Sequence, residues 1–178
     1  KKVLLNSIKK IVVIGPESTG KSTLSEALAN SLQTVWVAEY ARTYLENLGR
    51  EYTETDLLEI AKGQLAAEDA AMQIANQYLI CDTDLYVIKV WSEAKYGRCH
   101  PWILEHIAQR KYDLYLLTYI DIAWTDDPLR EHPLPAERQY FYNIYRDIVV
   151  QSGCQWADIR GTATERLIAA TNAVQKLL

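Results

Sequence analysis

Residues 15–23 read Gly-Pro-Glu-Ser-Thr-Gly-Lys-Ser-Thr, so a glycine-flanked turn is followed directly by a Lys-Ser pair. This order matches the P-loop pattern G-x-x-x-x-G-K-[ST], in which backbone N–H groups curl around a phosphate. The pattern is informative only between a strand and a helix, because the helix N-terminus directs its positive dipole end at the same phosphate. An apolar β-branched run at 11–14 precedes the loop, and apolar residues with helical spacing follow it. The stretch therefore predicts a binding site for ATP or GTP.

The side chains of this loop have separate expected roles. Lys21 would reach the β- and γ-phosphates, and the Ser22 hydroxyl would ligate Mg²⁺. The predicted nucleotide-binding residues of the loop are Gly15, Glu17, Ser18, Thr19, Gly20, Lys21, Ser22 and Thr23. ATP and Mg²⁺ are the cofactors that these residues imply.

A second acidic motif ends a stretch typical of a buried strand. The apolar run at 78–81 leads into Asp82-Thr83-Asp84. A carboxylate at this place, downstream of a P-loop, is the Walker B arrangement, in which the acidic side chain meets the Mg²⁺ shell. We therefore predict Asp82 and Ser22 as metal ligands. Asp82, Asp84 and Glu39 are all candidates for the group that orients or deprotonates an acceptor hydroxyl.

Two later loops should face the P-loop, since ligands of parallel α/β sheets bind at the carboxyl ends of the strands. The loop after the predicted strand at 112–117 is rich in charge and proline, and we expect a mobile lid at about 126–139. Arg130 and Arg138 would approach the ATP phosphates as it closes, although a solvated charged loop is the alternative interpretation. Gly161 and Thr162, after the strand at 155–159, would border the adenine, or Gly161 serves only the turn.

Length and composition limit the classes of protein that need consideration. The 178 residues are 49% hydrophobic and 24% charged, which is typical of one soluble domain covering 1–178. No apolar run approaches the ~20 residues of a membrane span, and residues 1–10 suggest a short leader helix or tail. The net charge of −4 argues against nucleic acid as a partner. Three cysteines without zinc-like spacing indicate reduced thiols and a cytoplasmic location; the oligomeric state cannot be inferred.

Predicted strands alternate with helices five times, beginning at the P-loop. This order predicts an α/β, three-layer P-loop NTPase fold with a five-stranded parallel sheet in the order 2-3-1-4-5, flanked by helices and carrying a lid. It is the outline of the nucleoside and nucleotide monophosphate kinases.

Four stretches carry a more specific resemblance. They are the P-loop itself, Glu39-Tyr40-Ala41-Arg42, Asp82-Thr83-Asp84, and Tyr112-Asp113-Leu114-Tyr115-Leu116-Leu117 leading to Trp124-x-Asp126-Asp127-x-Leu129-Arg130. From Ile11 to the last helix, the chain resembles the nicotinamide riboside kinase domain of the bacterial NadR-type NAD-biosynthesis proteins. Multifunctional members also carry a DNA-binding module and an adenylyltransferase domain, so we expect a stand-alone kinase or an excised domain.

The resemblance implies transfer of the γ-phosphoryl group of ATP to the ribose 5′-hydroxyl of nicotinamide riboside, which gives nicotinamide mononucleotide. The expected catalytic residues are Lys21, Asp82, Arg130 and Arg138. The expected substrate residues are Glu39, Tyr40, Arg42, Asp84, Tyr119, Trp124, Asp126 and Asp127. Carboxylates and aromatic faces suit the flat pyridinium cation of this small-molecule nucleoside, at ~0.5–2 kcal/mol for each aromatic face.

Two other functions fit the same motifs. One is a different nucleoside or nucleotide monophosphate kinase on this fold. A kinase for an anionic monophosphate would need additional arginines on the acceptor side, where Arg42 is the one clear candidate. The other is a regulatory module that binds ATP as a switch with little turnover.

Overall fold

The computed structural model describes residues 7–177, which fold around a parallel sheet flanked by helices. Its strands are β1 (Lys9–Ile14), β2 (Val35–Val37), β3 (Tyr78–Asp82), β4 (Leu114–Thr118) and β5 (Gln155–Ile159). Their spatial order is β2-β3-β1-β4-β5, and all four pairings are parallel. The predicted sheet order is therefore confirmed.

Helices connect the strands, as expected where parallel strands need crossover connections. They are α1 (Lys21–Ser31), α2 (Tyr40–Glu46), α3 (Glu54–Met72), α4 (Leu85–Tyr96), α5 (Pro101–Gln109), α6 (Pro135–Gln151) and α7 (Ala163–Gln175). Between β4 and α6 the chain runs without helix or strand for residues 119–134, where the sequence predicts most of the lid. None of the helices within residues 7–177 is both long and apolar enough to cross a bilayer.

The core lies on both faces of the sheet. Along β1, Ile11 and Val13 point to one face, and Val12 and Ile14 point to the other. All four are fully buried. Successive strand residues alternate between faces, so an unbroken apolar run of this kind is what a strand covered on both sides requires. The first face packs against α1 and α7, and the second against α4 and α6.

The predicted leader at 1–10 is wrong for its last two residues. Lys9 and Lys10 belong to β1, where they pair with Tyr78 and Leu79 of β3. The backbone N–H of Lys10 also donates to Asp113 Oδ2 at 2.8 Å. Sheet pairing therefore overrides the polar character of the two lysines, whose long side chains keep their charges at the surface. Residues 1–6 of the predicted leader lie outside the described part.

Candidate functional site

The P-loop leaves β1 so close to β4 that only glycine fits at its start. A Cβ on Gly15 would lie 2.3 Å from Thr118 Oγ1 and 2.8 Å from the Thr118 backbone oxygen. At the other end of the loop, Gly20 is the N-cap of α1 with φ of 76°. Glycine adopts this left-handed backbone without the steric penalty of a side chain. The two glycines of the motif thus position the loop over the N-terminus of α1.

The interior of the loop is fastened by buried hydrogen bonds. The Thr19 hydroxyl donates to the Pro16 carbonyl at 2.7 Å and lies 2.7 Å from the Thr118 hydroxyl. Arg166 Nη1 donates to the Thr19 carbonyl, also at 2.7 Å. Thr19 is fully buried and Arg166 is 3% exposed. Thr19 therefore shapes the loop, in addition to any backbone contact it offers to a nucleotide.

Arg166 connects the loop to the ends of β4 and β5, a role that the sequence analysis missed. Its guanidinium donates to the carbonyls of Gly161 and Tyr119, at 3.0 and 3.1 Å, and forms an ion pair with Asp121. A signal was present in the sequence: residues 166, 170 and 174 form the buried stripe of α7, and the first of them is an arginine. A charge on an apolar stripe requires a buried partner.

An open cleft of about 550 Å³ begins at the P-loop and extends between α2, α4, α6 and the 119–134 segment. Of the predicted residues, it is lined by the whole loop 15–23, Glu39, Arg42, Asp82, Arg130 and Arg138. Lys21 and Ser22 enter it from the first turn of α1. Lys21 Nζ donates to the Pro16 carbonyl at 2.7 Å, so its ammonium lies within the loop.

Asp82 is the last residue of β3 and lines this cleft. The residue is 3% exposed, and its buried Oδ1 has no hydrogen-bond partner in the part of the chain that the structure describes. Burial, and next the negative charge of Glu39, raise the pKa of Asp82 to about 7, while Lys21 acts in the opposite sense. A buried carboxylate oxygen without a partner is costly, and a cation beside it would remove the cost. Ser22 lines the same cleft, and a hydroxyl and a carboxylate oxygen are both of the ligand type that Mg²⁺ takes.

Asp84 lies behind this position and does not line the cleft. It is the N-cap of α4 and accepts from the Tyr86 N–H at 3.0 Å and from the Tyr115 hydroxyl at 2.7 Å. It is 2% exposed, and burial raises its pKa to about 7. Between the two aspartates, Thr83 has φ of 71°, so the chain turns sharply enough to point them at different surroundings. The structure thus gives Asp84 a role in holding the strand end.

The segment after β4 is docked onto the P-loop. The Thr125 N–H donates to Ser18 Oγ at 2.9 Å, and the N–H groups of Glu131 and His132 each donate to Glu17 Oε2 at 3.1 Å. Arg138 Nη2, at the start of α6, donates to the Ser18 carbonyl at 3.2 Å. Glu17 and Ser18 therefore hold the segment over the loop.

Aromatic and apolar side chains that the sequence analysis did not select also line the cleft. They are Trp36, Val87, Val90, Trp91, Ala94, Phe141 and Tyr145. Four of them recur at the helical spacing 87, 90, 91 and 94, which places them on one face of α4. That spacing is also typical of core packing, so it could not identify a cleft from the sequence alone.

Eight predicted residues do not line the cleft: Tyr40, Asp84, Tyr119, Trp124, Asp126, Asp127, Gly161 and Thr162. Most have contacts that explain their placement. The Tyr40 ring lies against Gly63, where a Cβ would be 2.1 Å from it. Trp124 Nε1 donates to Asp126 at 2.9 Å, and the Thr162 hydroxyl caps α7 by accepting from the Glu165 N–H at 3.2 Å.

The sheet is parallel in the order 2-3-1-4-5, a glycine-bounded phosphate loop follows its central strand, and a buried acidic residue ends the neighbouring strand. Together these features define a P-loop nucleotide-binding protein. Comparison with known families agrees with this class. The chain belongs to the AAA domain family, whose model matches residues 10–166.

Two curated NadR proteins are similar to most of this chain. The chain is 27% identical over 159 residues to the trifunctional NAD biosynthesis/regulator protein NadR of Salmonella typhimurium, and 27% identical over 158 residues to NadR of Escherichia coli. These matches cover 86% and 85% of the chain but 38% of each relative. The resemblance to NadR-type proteins is confirmed, and the chain spans about two fifths of the length of these relatives.

Solved structures of other proteins share the fold of this chain. A NadR protein in complex with NR superimposes with a TM-score of 0.78 at 25% identity, covering 96% of this chain and 52% of that one. Thymidylate kinase from Candida albicans superimposes with a TM-score of 0.67 at 15% identity, over 96% of this chain and 92% of that one. At that identity the second likeness concerns the fold alone.

Proposed function

We propose that this domain transfers the γ-phosphoryl group of ATP to the ribose 5′-hydroxyl of nicotinamide riboside, which gives nicotinamide mononucleotide. The likeness to NadR proteins supports a nucleoside-kinase-type role. The observation that carries the finer proposal is the cleft itself. One continuous cleft joins the P-loop and Asp82 to an acceptor end that is lined by Glu39, Trp36 and Trp91.

On the donor side, the loop amides and Lys21 would hold the ATP phosphates. Phosphoryl transfer needs little covalent chemistry from the protein, so positioning and charge stabilisation account for most of the rate. Arg138 already contacts the loop through Ser18, and Arg130 lines the same cleft. We propose that both arginines stabilise the charge that develops on the transferred group.

The three candidate carboxylates receive different roles in this proposal. Asp82 and Ser22 would hold Mg²⁺, which when bound neutralises phosphate charge. Asp84 supports the turn, because both of its oxygens are occupied by Tyr86 and Tyr115. Glu39 is the N-cap residue of α2 and lines the cleft, so we assign to it the orientation of the 5′-hydroxyl.

The acceptor end suits a flat cation. Trp36 and Trp91 are half-buried aromatic faces, and the Glu39 carboxylate supplies the opposite charge. A pyridinium ring that stacks on such an aromatic face gains ~0.5–2 kcal/mol. We further propose that a lid at about 126–139 closes the cleft and excludes water during transfer. Its contacts with Glu17, through the Glu131 and His132 N–H groups, and with Ser18, through Arg138, support a closed position over the loop.

ADP release in the presence of Mg²⁺ tests the proposal. The panel contains nicotinamide riboside, uridine, thymidine and their 5′-monophosphates. We expect nicotinamide riboside to stimulate ATP turnover most. Equal stimulation by uridine or thymidine would contradict the proposed substrate and favour a general nucleoside kinase. No stimulation, with ATP still bound, would favour a regulatory nucleotide switch.

A further inference from the structure

Arg42, the one cleft arginine placed on α2, is already paired. Its Nη1 donates to Asp127 Oδ2 at 2.7 Å, and Glu46 Oε1 lies 4.0 Å away. Asp127 is fixed in turn, because its Oδ1 accepts from the Leu129 N–H at 2.9 Å. The side chains of the pair are 40% and 23% exposed, so solvent screens the ion pair only in part. Asp127 therefore pairs with Arg42, although Asp127 itself does not line the cleft.

The other cations of the cleft are held on the donor side. Lys21 donates to the Pro16 carbonyl and Arg138 to the Ser18 carbonyl, both in the P-loop. Arg130 donates to the carbonyl of Thr125, the residue whose N–H is bonded to Ser18.

The remaining charges of the cleft are carboxylates. Glu17 and Asp82 lie at the P-loop side, and Glu39 and Glu131 also line the cleft. The Glu131 carboxylate accepts from the Tyr52 hydroxyl, which itself accepts from Trp91 Nε1, so Glu131 and Glu39 belong to the acceptor end. With Arg42 paired to Asp127, these two carboxylates make the acceptor end of the described cleft net negative. It would attract a cation and repel a phosphate.

We propose that the Arg42–Asp127 pair restricts the acceptor to nucleosides and rejects their 5′-monophosphates. A monophosphate that approached Arg42 would meet a guanidinium whose charge is already paired, with the Asp127 carboxylate held beside it by the Leu129 N–H. Specificity of this kind comes from an unfavourable element directed at the wrong ligand. The inference rests on the proposed function, since it concerns the acceptor end of that site, and it also implies that the phosphorylated product leaves readily.

The test is the variant Asp127→Asn. Its amide oxygen can still accept from the Leu129 N–H, but the side chain no longer neutralises Arg42. Calorimetry with bound AMP-PNP measures the affinities of nicotinamide riboside and nicotinamide mononucleotide, and of uridine and uridine monophosphate. We expect the affinity ratio of monophosphate to nucleoside to rise about tenfold, the size of one charge-assisted hydrogen bond.

Two further variants separate this effect from a general change of charge. Glu46→Gln removes a carboxylate near the same guanidinium but outside the cleft, and its ratio should change less than about twofold. Arg42→Gln combined with Asp127→Asn should reverse the gain, because no cation is left to bind the phosphate.

A folded Asp127→Asn variant with an unchanged ratio overturns the inference, provided that the wild-type protein phosphorylates nicotinamide riboside. An equal gain in Glu46→Gln also overturns it, because the effect would then be long-range charge alone. If the wild-type protein binds none of the nucleosides, the proposed function fails first, and the inference falls with it.

Discussion

Arg166 Nη1 donates a hydrogen bond to the Thr19 carbonyl at 2.7 Å, across 147 positions of sequence. The last helix thereby fastens the first loop of the fold. The same guanidinium contacts the carbonyls of Gly161 and Tyr119, so one side chain fixes the P-loop to the ends of β4 and β5. The phosphate loop is therefore preorganised by a residue that does not line the cleft.

Replacing this arginine should weaken both the fold and nucleotide binding. Arg166→Met keeps much of the side-chain volume but leaves the Thr19 and Tyr119 carbonyls without their donor. We expect the free energy of unfolding to fall by about 1–3 kcal/mol. Urea denaturation with and without ATP measures both effects, and Arg146→Gln, on the exposed face of α6, is the control. A variant that keeps wild-type stability and ATP affinity would remove Arg166 from this role.

The contact between Gly15 and Thr118 predicts a second stability effect. Gly15→Ala would place a methyl group 2.8 Å from the Thr118 backbone oxygen, so β4 or the loop must move. We expect a loss of about 1–3 kcal/mol, together with loss of ATP binding. Gly97→Ala is the matched control, because Gly97 also has positive φ but nothing lies within 4 Å of its Cβ position. It should lower stability through backbone strain while ATP binding is retained; retention in Gly15→Ala as well would contradict the prediction.

Buried Asp84 makes stability depend on pH. Its folded pKa is about 7, above the ordinary value of 3.8, so the folded state binds more protons than the unfolded state between these values. Its contribution is therefore fully present below pH 4 and is lost as the pH rises towards 7. Asp84→Asn should reduce this downward slope of unfolding free energy against pH. Denaturation at several pH values from 4 to 8 measures it, and parallel profiles of variant and wild type would disprove the assignment.

Glu17 should protect the lid segment from proteases by holding its backbone against the P-loop. Its carboxylate accepts the N–H groups of Glu131 and His132, and Glu17→Ala removes both bonds. We expect trypsin to cut after Arg130 about tenfold faster in this variant, the size of one hydrogen bond to a charged group. Glu26→Ala, on the exposed surface of α1, controls for the loss of charge. Equal cleavage rates in all three proteins would show that Glu17 does not hold the segment.

Lys21→Ala should lower turnover at least about a hundredfold, since no other loop side chain carries the charge that Lys21 would bring to the β- and γ-phosphates. ADP release at saturating ATP measures the effect. Lys176→Ala, at the exposed end of α7, should retain wild-type turnover. Substantial activity in Lys21→Ala would remove the P-loop from the mechanism.

The sheet order and the phosphate loop could be predicted from sequence because their signals are local. Buried strands form apolar runs, and the motif spacing depends on neighbouring backbone geometry. The placement of Asp84 could not be predicted, since it depends on Tyr115 of another strand and on the turn at Thr83. The aromatic and apolar cleft residues of α4 were missed for a similar reason: spacing places Val87 and Trp91 on one face of the helix but does not say whether that face meets core or cleft.

Transfer of labelled γ-phosphate from ATP to nicotinamide riboside tests the central claim most directly. The products of a Mg²⁺-containing reaction would be separated and identified by mass. We predict that the label appears in nicotinamide mononucleotide, on the 5′-oxygen, and that Lys21→Ala gives none. Label recovered only as ATP or inorganic phosphate, with nicotinamide riboside unchanged, would contradict the proposed reaction.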